Sequence, residues 1–310
     1  MKNYIHLMME YNQKFWVLMN VPLYQCLLNL TGRSNCMVDL SCDKAKEFRD
    51  KLGWEDRAGE ESEWSYKMQL AVYCEDLPLA TKLADKLMKI PPGSSRSFAY
   101  YHTRVFFFAL ISLWNCKKRK AKNRWEYKWA FKKYFNMVNE WVMKKRAINL
   151  VHKLMILKAE RLSMRRRKID PRDLSDAYDK AISSSMRSGF LQDAALAAHL
   201  ASRCRKLEVY DRKAYHERAL ELYSSWGAHG IVDYLHTNIG SKSWSSYDSI
   251  TFTTLAESTE RTISGGSCHG SPSSPGGGGY RARERFDKTV VDEHKKNLLA
   301  STLLYRKEIV

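Results

Sequence analysis

The stretch YDKAISSSMRSGFLQDAALAAHLASRC, residues 178–204, gives the clearest indication of the fold. A helix-forming run ends in a Ser-Gly break at Gly189, and a second run, dense in alanine, follows it. Glycine is common just after a helix because it adopts the left-handed conformation without strain, and alanines allow helices to pack closely. Upstream, Asp170 suits a helix cap and Pro171 suits the first helical position. The pattern predicts the second helix of one repeat, a turn at Gly189, and the first helix of the next repeat.

The beginning of this stretch recurs further along the chain. AYDKAI starts at Ala177 and AYHERAL starts 37 residues later at Ala214, with one residue inserted in the second copy. This offset is slightly longer than a tetratricopeptide (TPR) repeat. Helix-breaking residues elsewhere leave helical segments of about 12–25 residues with short connectors. The predicted fold is all-α, a TPR-like solenoid of antiparallel helix pairs.

The composition changes after Ile239, where Ser, Gly and Pro replace the helical pattern. Segments so poor in apolar residues cannot bury enough surface to fold. We predict a helical repeat domain, a flexible linker and a C-terminal amphipathic helix, at residues 1–239, 240–286 and 287–310. Two Ser-Pro steps in the linker make Ser271 and Ser274 candidate phosphorylation sites for proline-directed kinases.

The net charge of +18 is concentrated in one region, since 19 Lys and Arg face three acidic residues between Cys116 and Lys168. Aromatic residues alternate with cations in NRWEYKWAFKKYFNMVNEW, residues 123–141. Such a mixture binds single strands of nucleic acid by stacking on bases and by attracting phosphates. The predicted basic patch comprises Arg124, Lys128, Lys132, Lys133, Lys144, Lys145 and Arg146.

The same region also fits an ordinary amphipathic helix with its cations in solvent. Spacings that are mostly three and four predict a buried stripe of Trp125, Trp129, Phe131, Phe135, Val138 and Val142. The buried stripe is favoured over nucleic-acid binding because no RRM, KH or zinc-finger signature accompanies the basic patch.

The sequence contains no recognisable catalytic or cofactor-binding motif. Phosphate-binding and dinucleotide-binding loops, kinase motifs, the hydrolase elbow and the zinc-protease motif are all missing. No acidic or cysteine ligand completes a metal site with His216, His229 and His236. His152 is predicted to be a packed or snorkelling helix residue rather than a base, because no paired carboxylate is indicated. We expect no catalytic residue, no metal and no cofactor.

Location is predicted from the N-terminal segment, the most apolar run, the cysteines and two basic clusters. The N-terminal segment is a poor signal peptide, because Glu10 and Lys14 interrupt its apolar part. The most apolar run, residues 105–114, is about half the length required to cross a bilayer. Seven scattered cysteines without a Cys-x-x-Cys pair suit a reducing compartment. A cytoplasmic chain is expected, with nuclear import possible through KKRK (117–120) and RRRK (165–168).

An ordered set of motifs resembles a known family. The segments are PLYQCLLNLTGRSNC (22–36), WVMKKRAINLVHKLMILKAER (141–161), AYDKAISSSMRSGFLQDAALAAHLA (177–201) and ALELYSSWGAHGIVDYL (219–235). Together they resemble the TPR-like helical region of multidomain signalling proteins, mostly bacterial and also algal. Those proteins run from a serine/threonine kinase domain through an AAA-type ATPase to GAF and histidine kinase domains. The matching positions include Trp141, Asn149, His152, Lys153, Ala159 and Glu160, whereas Asp193 stands where the family has Glu.

This resemblance implies a scaffold rather than an enzyme, since the flanking kinase, ATPase and GAF domains have no counterpart in the chain. A non-catalytic module that connects or regulates signalling domains through protein contacts is expected, with ATPase, GAF or kinase domains as partners. Helix phase predicts exposed partner-binding residues at Gln192, His199, Arg203, Tyr215 and Arg218. The alternative function is binding of RNA or single-stranded DNA by the basic patch.

Overall fold

The computed structural model describes residues 2–34, 37–40, 57–90, 100–117, 123–165 and 169–238. Within these ranges the chain is all-α, with eleven α-helices and no strand, as predicted. The helices are α1 (Lys2–Glu10), α2 (Lys14–Leu30), α3 (Arg57–Tyr73), α4 (Leu77–Met88), α5 (Tyr100–Lys117), α6 (Arg124–Met143), α7 (Val151–Ser163), α8 (Pro171–Arg187), α9 (Leu191–Ser202), α10 (Val209–Trp226) and α11 (His229–Asn238), and a short 3-10 turn, Ile148–Leu150, precedes α7.

Several predictions concern residues outside these ranges. They include the linker, the C-terminal helix, and the candidate phosphorylation sites Ser271 and Ser274. Most of the two clusters with nuclear-import character also lies outside the described residues.

The boundaries of α8 follow from local chemistry. The Asp170 side chain accepts a hydrogen bond from the Arg172 amide at 2.9 Å, and Pro171 occupies the first helical position. At the other end, Gly189 has a φ of +78°. Its amide donates to the Met186 carbonyl and the next amide donates to the Ser185 carbonyl, which is the double hydrogen bond of a Schellman motif. The predicted start of α8 and the turn at Gly189 are confirmed.

Helix α9 is buried along most of its length. It packs against α7, α8 and α10. Its five alanines, Ala194, Ala195, Ala197, Ala198 and Ala201, are all fully buried. A helix buried on every side needs small side chains because its neighbours must approach on several faces. The high alanine content of α9 is therefore explained by the close approach of its neighbouring helices.

The repeated motif occupies similar places on α8 and α10. Tyr178 and Tyr215 are both buried, and so are Ala181 and Ala219, the second alanine of each copy. Each helix therefore turns a tyrosine and an alanine inward, three residues apart in α8 and four apart in α10, spacings that both lie on one helix face. Helices that are adjacent in the chain pack together from α1 to α11.

Contacts between distant helices add to this packing of neighbours. Helix α2 packs against α11. Gly230 approaches α2 so closely that a Cβ atom there would lie 2.1 Å from the Asn29 carbonyl oxygen. The Tyr73 ring, at the end of α3, also contacts Tyr223 and Trp226 of α10 at centroid distances of 6.0 Å. In a strict solenoid each repeat touches only its neighbours, so these contacts are additional to that arrangement.

Helix α5 contributes the most apolar part of the core. Phe106, Leu110 and Ile111 are fully buried within it. Across the described ranges, no helix is both long enough and apolar enough to span a bilayer.

Candidate functional site

The outer face of α6 presents aromatic rings and cations to solvent. Trp125 is 69% exposed and Trp129 is 59% exposed, and their ring centroids lie 5.9 Å apart. All seven residues of the predicted basic patch are exposed. We call the group at the N-terminal part of the helix the α6 surface, which consists of Arg124, Trp125, Lys128, Trp129, Lys132 and Lys133.

The buried stripe predicted for α6 is wrong for both tryptophans. Tyr134, Phe135 and Val138 are buried, and Tyr134 packs on Phe108 of α5 with ring centroids 5.1 Å apart. A helix turns by roughly 100° per residue, which places Trp125 roughly 130° and Trp129 roughly 170° from the centre of that buried face. The step of two residues between Trp129 and the next aromatic breaks the helical phase, so the tryptophans face outward.

The C-terminal end of α6 extends the exposed cationic area. Lys144, Lys145 and Arg146 follow its last turn, and all are exposed. Lys144 pairs with Glu140 at 3.9 Å, which partly neutralises this end. At the other end, Arg124 is held by a hydrogen bond from Nε to the Cys116 carbonyl at 2.8 Å.

The structure divides the five predicted partner-binding residues into two groups. Gln192 and Arg218 are half-buried and Arg203 is exposed. The predicted exposure is wrong for His199 and Tyr215, which are only 4% and 7% exposed. Both side chains turn inward because their helices are covered on that face. Partner binding by Gln192, Arg203 and Arg218, which are accessible, stays a prediction.

Tyr215 joins α10 to α8. Its hydroxyl lies 2.8 Å from the Ser175 hydroxyl and donates to Asp179 Oδ1 at 3.0 Å. Burial, partly offset by the Ser175 hydrogen bond, and the Asp179 carboxylate raise the pKa of Tyr215 well above its usual range. The tyrosine therefore acts as a neutral hydrogen-bonding contact within the fold.

Glu75 forms the centre of a charged cluster between the α3–α4 turn and α9. Its Oε1 lies 2.8 Å from His199 Nε2 and 3.1 Å from Arg203 Nε. Burial raises the pKa of Glu75, but His199, Arg203 and His216 outweigh burial and lower it overall. Glu75 has a φ of +58°, in a position where glycine is usual. Its side chain therefore supplies a contact that a glycine would lack.

A second group of charges is buried between α7 and α9. Asp193 Oδ2 lies 2.8 Å from His152 Nε2 and accepts a hydrogen bond from Lys153 Nζ at 2.7 Å. His152 is 0% exposed and Asp193 is 1% exposed. Burial raises the pKa of Asp193, whereas Lys153 and His152 lower it, and the net effect is a lowered pKa. The His152 ring also stacks on Phe190 with centroids 4.3 Å apart.

The expectation that His152 has no paired carboxylate is therefore wrong. Of the two alternatives predicted for this side chain, packed or snorkelling, the structure shows the packed one. Asp193 lies 41 positions away and no local spacing in the sequence signals the pair. The only hint was that both residues belong to motifs of the resemblance. The arrangement holds a carboxylate in its charged form inside the protein, where it attracts two nitrogen-bearing side chains of another helix.

Glu160 connects three helices in the same interior. Its two carboxylate oxygens accept hydrogen bonds from Trp114 Nε1 at 2.7 Å and from the Tyr178 hydroxyl at 2.5 Å. Burial and then the Glu160 charge raise the pKa of Tyr178 well above its usual range. Helices α5, α7 and α8 are therefore joined through one side chain.

The three histidines considered for a metal site do not form one in the described ranges, where no group of three or more His, Cys, Asp or Glu is arranged to hold a metal. His216 instead belongs to the surroundings of Glu75. Burial lowers the pKa of His216, and His199, Arg203 and His236 lower it further, while Glu75 opposes them.

Comparison with known proteins found no matching family, no matching curated protein and no matching solved structure. The resemblance to the TPR-like region of signalling proteins stays a prediction.

Proposed function

We propose that this chain is a non-catalytic, TPR-like helical scaffold that connects or regulates signalling domains through protein contacts. The observation that carries the proposal is the position of the residues on which the resemblance rests. His152, Lys153 and Glu160 are buried in α7, and Asp193 and Tyr178 bind them from neighbouring helices. Side chains that join helices in this way specify packing, which is what a scaffold requires.

Helix α7 has the contacts expected of a structural support. It packs against α5, α6, α8 and α9. Removing one partner of a buried ion pair is strongly unfavourable, so Lys153 and Asp193 keep α7 and α9 in one relative position. A domain that binds one part of such a body displaces other helices as a unit rather than singly.

The charged cluster at Glu75 extends this coupling to the first helices of the chain. Glu75 follows α3, whereas His199 is 124 positions later in α9. A solenoid with this additional contact would transmit displacement between its early and late helices. Candidate contact residues for a partner are Gln192, Arg203 and Arg218, all of which reach solvent at least in part.

The proposal is tested by calorimetric titration of the full chain with three isolated domains. These are an AAA-type ATPase domain, a GAF domain and a kinase domain from a protein of the resembling family. We expect at least one domain to bind with a Kd on the order of 1 μM, typical of specific contacts. Binding of none of the three by the folded chain would contradict the scaffold proposal.

Two variants locate the contact. The double change Gln192→Ala with Arg218→Ala is expected to weaken binding by about tenfold, equivalent to ~1.4 kcal/mol. Arg187→Ala with Glu217→Ala is the matched control, because both residues are exposed and lie on α8 and α10, the two helices that flank α9 in the chain. Equal affinity of the two double variants would show that Gln192 and Arg218 do not contact the partner. The scaffold role itself would not be contradicted.

A further inference from the structure

We infer that the α6 surface binds single-stranded nucleic acid, RNA or DNA, by stacking on bases and pairing with phosphates. This activity goes beyond the proposed scaffold role and does not depend on it. It rests on three features of the surface: two exposed rings on one face, cations around them, and a separate buried face that anchors the helix.

The rings are placed for stacking. Trp125 and Trp129 are one turn apart on the same side of α6, with centroids separated by 5.9 Å and planes inclined at 51°. Large apolar rings in contact with water gain free energy when a flat partner covers them. Each base of a single strand offers such a flat face, and stacking is tolerant of sequence. Two neighbouring rings therefore suit two nucleotides of one strand.

The cations are placed for phosphates. Lys132 and Lys133 follow Trp129 by three and four residues and so share its face or its edge, and Lys128 lies between the tryptophans in sequence. Among the described residues, these three lysines form no ion pair with a carboxylate. Glu126 is the exposed acidic residue within this part of the helix. The charge excess favours a polyanion.

The anchoring face distinguishes α6 from a helix that lies on a membrane. A membrane-surface helix inserts a broad apolar face into lipid. In α6 that face, which contains Tyr134, Phe135 and Val138, is already buried within the protein. The exposed side offers two tryptophans among lysines and no comparably broad apolar face.

An acidic protein is also a poorer match than a single strand. The cores of protein interfaces are depleted in lysine, whereas grooves for single strands combine cations with aromatic rings. Duplex nucleic acid keeps its bases stacked on each other, so the tryptophans would find no free base face. A single strand uses both components of the α6 surface.

The experiment is fluorescence anisotropy with the full chain and labelled oligouridine and oligothymidine of about 12 nucleotides, within the usual site sizes for single strands. We expect binding at low salt, and we expect a duplex of equal length to bind more weakly. Four phosphate contacts predict an affinity that falls roughly 50-fold between about 50 and 200 mM salt. Absence of binding at low salt would overturn the inference.

Two variants separate stacking from charge. Trp125→Ala with Trp129→Ala should weaken binding by about 30-fold or more and leave the salt dependence unchanged. Lys128→Gln, Lys132→Gln and Lys133→Gln together should reduce the slope of log affinity against log salt by about two. The matched controls are Tyr210→Ala, an exposed ring on α10, and the exposed α8 triple variant Arg172→Gln, Lys180→Gln and Arg187→Gln.

The controls should bind like the original chain. If both α6 variants also bind unchanged, the oligonucleotides bind elsewhere and the inference is wrong. Oligoglutamate peptide and vesicles that contain anionic lipid test the other occupants. Tryptophan-dependent binding of either one, without binding of the oligonucleotides, would assign the α6 surface to an acidic protein or to a membrane instead.

Discussion

Charged side chains are buried in helices α7 and α9, whereas large aromatic side chains are exposed on helix α6. In α7 and α9 the polar side chain of His152 and the charged side chains of Lys153 and Asp193 are buried. In α6 the rings of Trp125 and Trp129 are exposed instead. Both regions depart from the usual distribution, in which charged groups lie outside and large apolar groups lie inside.

The contrast shows that the burial of a side chain depends on which neighbouring groups are available to contact it. The buried charges of Lys153 and Asp193 compensate each other across 2.7 Å, and Asp193 also lies 2.8 Å from His152 Nε2. In α6 the inner face is already occupied by Tyr134, Phe135 and Val138. The interior network should therefore matter for folding, and the tryptophans of α6 should matter for binding.

The largest effect is expected from Asp193→Ala. The change leaves the Lys153 ammonium buried without its carboxylate, which costs about 3–5 kcal/mol in the free energy of unfolding. Urea denaturation followed by circular dichroism measures the loss. Asp176→Ala, at an exposed position of α8, is the control and should change stability by less than about 0.5 kcal/mol.

A second variant tests whether the cost comes from the unpaired charge. Adding Lys153→Met to Asp193→Ala removes that charge and should recover part of the lost stability. If Asp193→Ala is no more damaging than the control, the buried network does not stabilise the fold, and the contrast with α6 fails.

A smaller loss is expected from Glu160→Gln in the same interior. The amide nitrogen donates rather than accepts, so either Trp114 or Tyr178 loses Glu160 as an acceptor. The expected cost is about 1–3 kcal/mol, measured by the same denaturation. Glu221→Gln, at an exposed position of α10, should leave the midpoint unchanged. A Glu160 variant as stable as this control would show that the carboxylate is dispensable.

Local signals explain the parts of the fold that the sequence predicts correctly. Asp170 caps α8 through an amide two residues away, and Gly189 ends it through its own backbone conformation. Such effects act within a few residues, so spacing and residue type are enough to find them. The alanine density of α9 likewise predicts close packing without naming the neighbours.

The candidate site was predicted less well because it depends on distant contacts. Asp193 pairs with side chains about 40 positions earlier, and no local pattern links them. His199 is buried because Glu75 and α10 cover it, although helix phase alone allowed exposure. For α6, spacing identified the cations correctly but placed the tryptophans on the wrong face.

The next smaller effect on stability is expected from a change of pH. Burial, His199, Arg203 and His236 lower the pKa of His216, so the unfolded chain binds this proton more readily than the folded protein. Stability is then complete above the ordinary value of 6.5 and falls as the pH drops towards the lowered pKa. The pKa of Glu75 is lowered as well, so a further loss is expected below its ordinary value of 4.5.

Urea midpoints at a pH near 7 and a pH near 5.5 measure the contribution of His216. We expect a decrease of less than about 1 kcal/mol, because His216 is half-buried and solvent screens its interactions. His216→Gln should reduce this decrease, whereas His229→Gln, at an exposed position, should not. An unchanged decrease in the His216 variant would assign the pH dependence to other groups.

The smallest effect on stability is expected from Trp125→Ala with Trp129→Ala. Both rings are exposed, so their removal should change the free energy of unfolding by less than about 0.5 kcal/mol at each position. Phe135→Ala is the matched control on the buried face of the same helix and should cost about 3–5 kcal/mol. A tryptophan variant that loses as much stability as the Phe135 variant would mean that the rings are packed in the folded protein. Packed rings have no free face on which a base can stack. A large loss of stability would therefore support the buried-stripe interpretation and contradict the inference that the α6 surface stacks on bases.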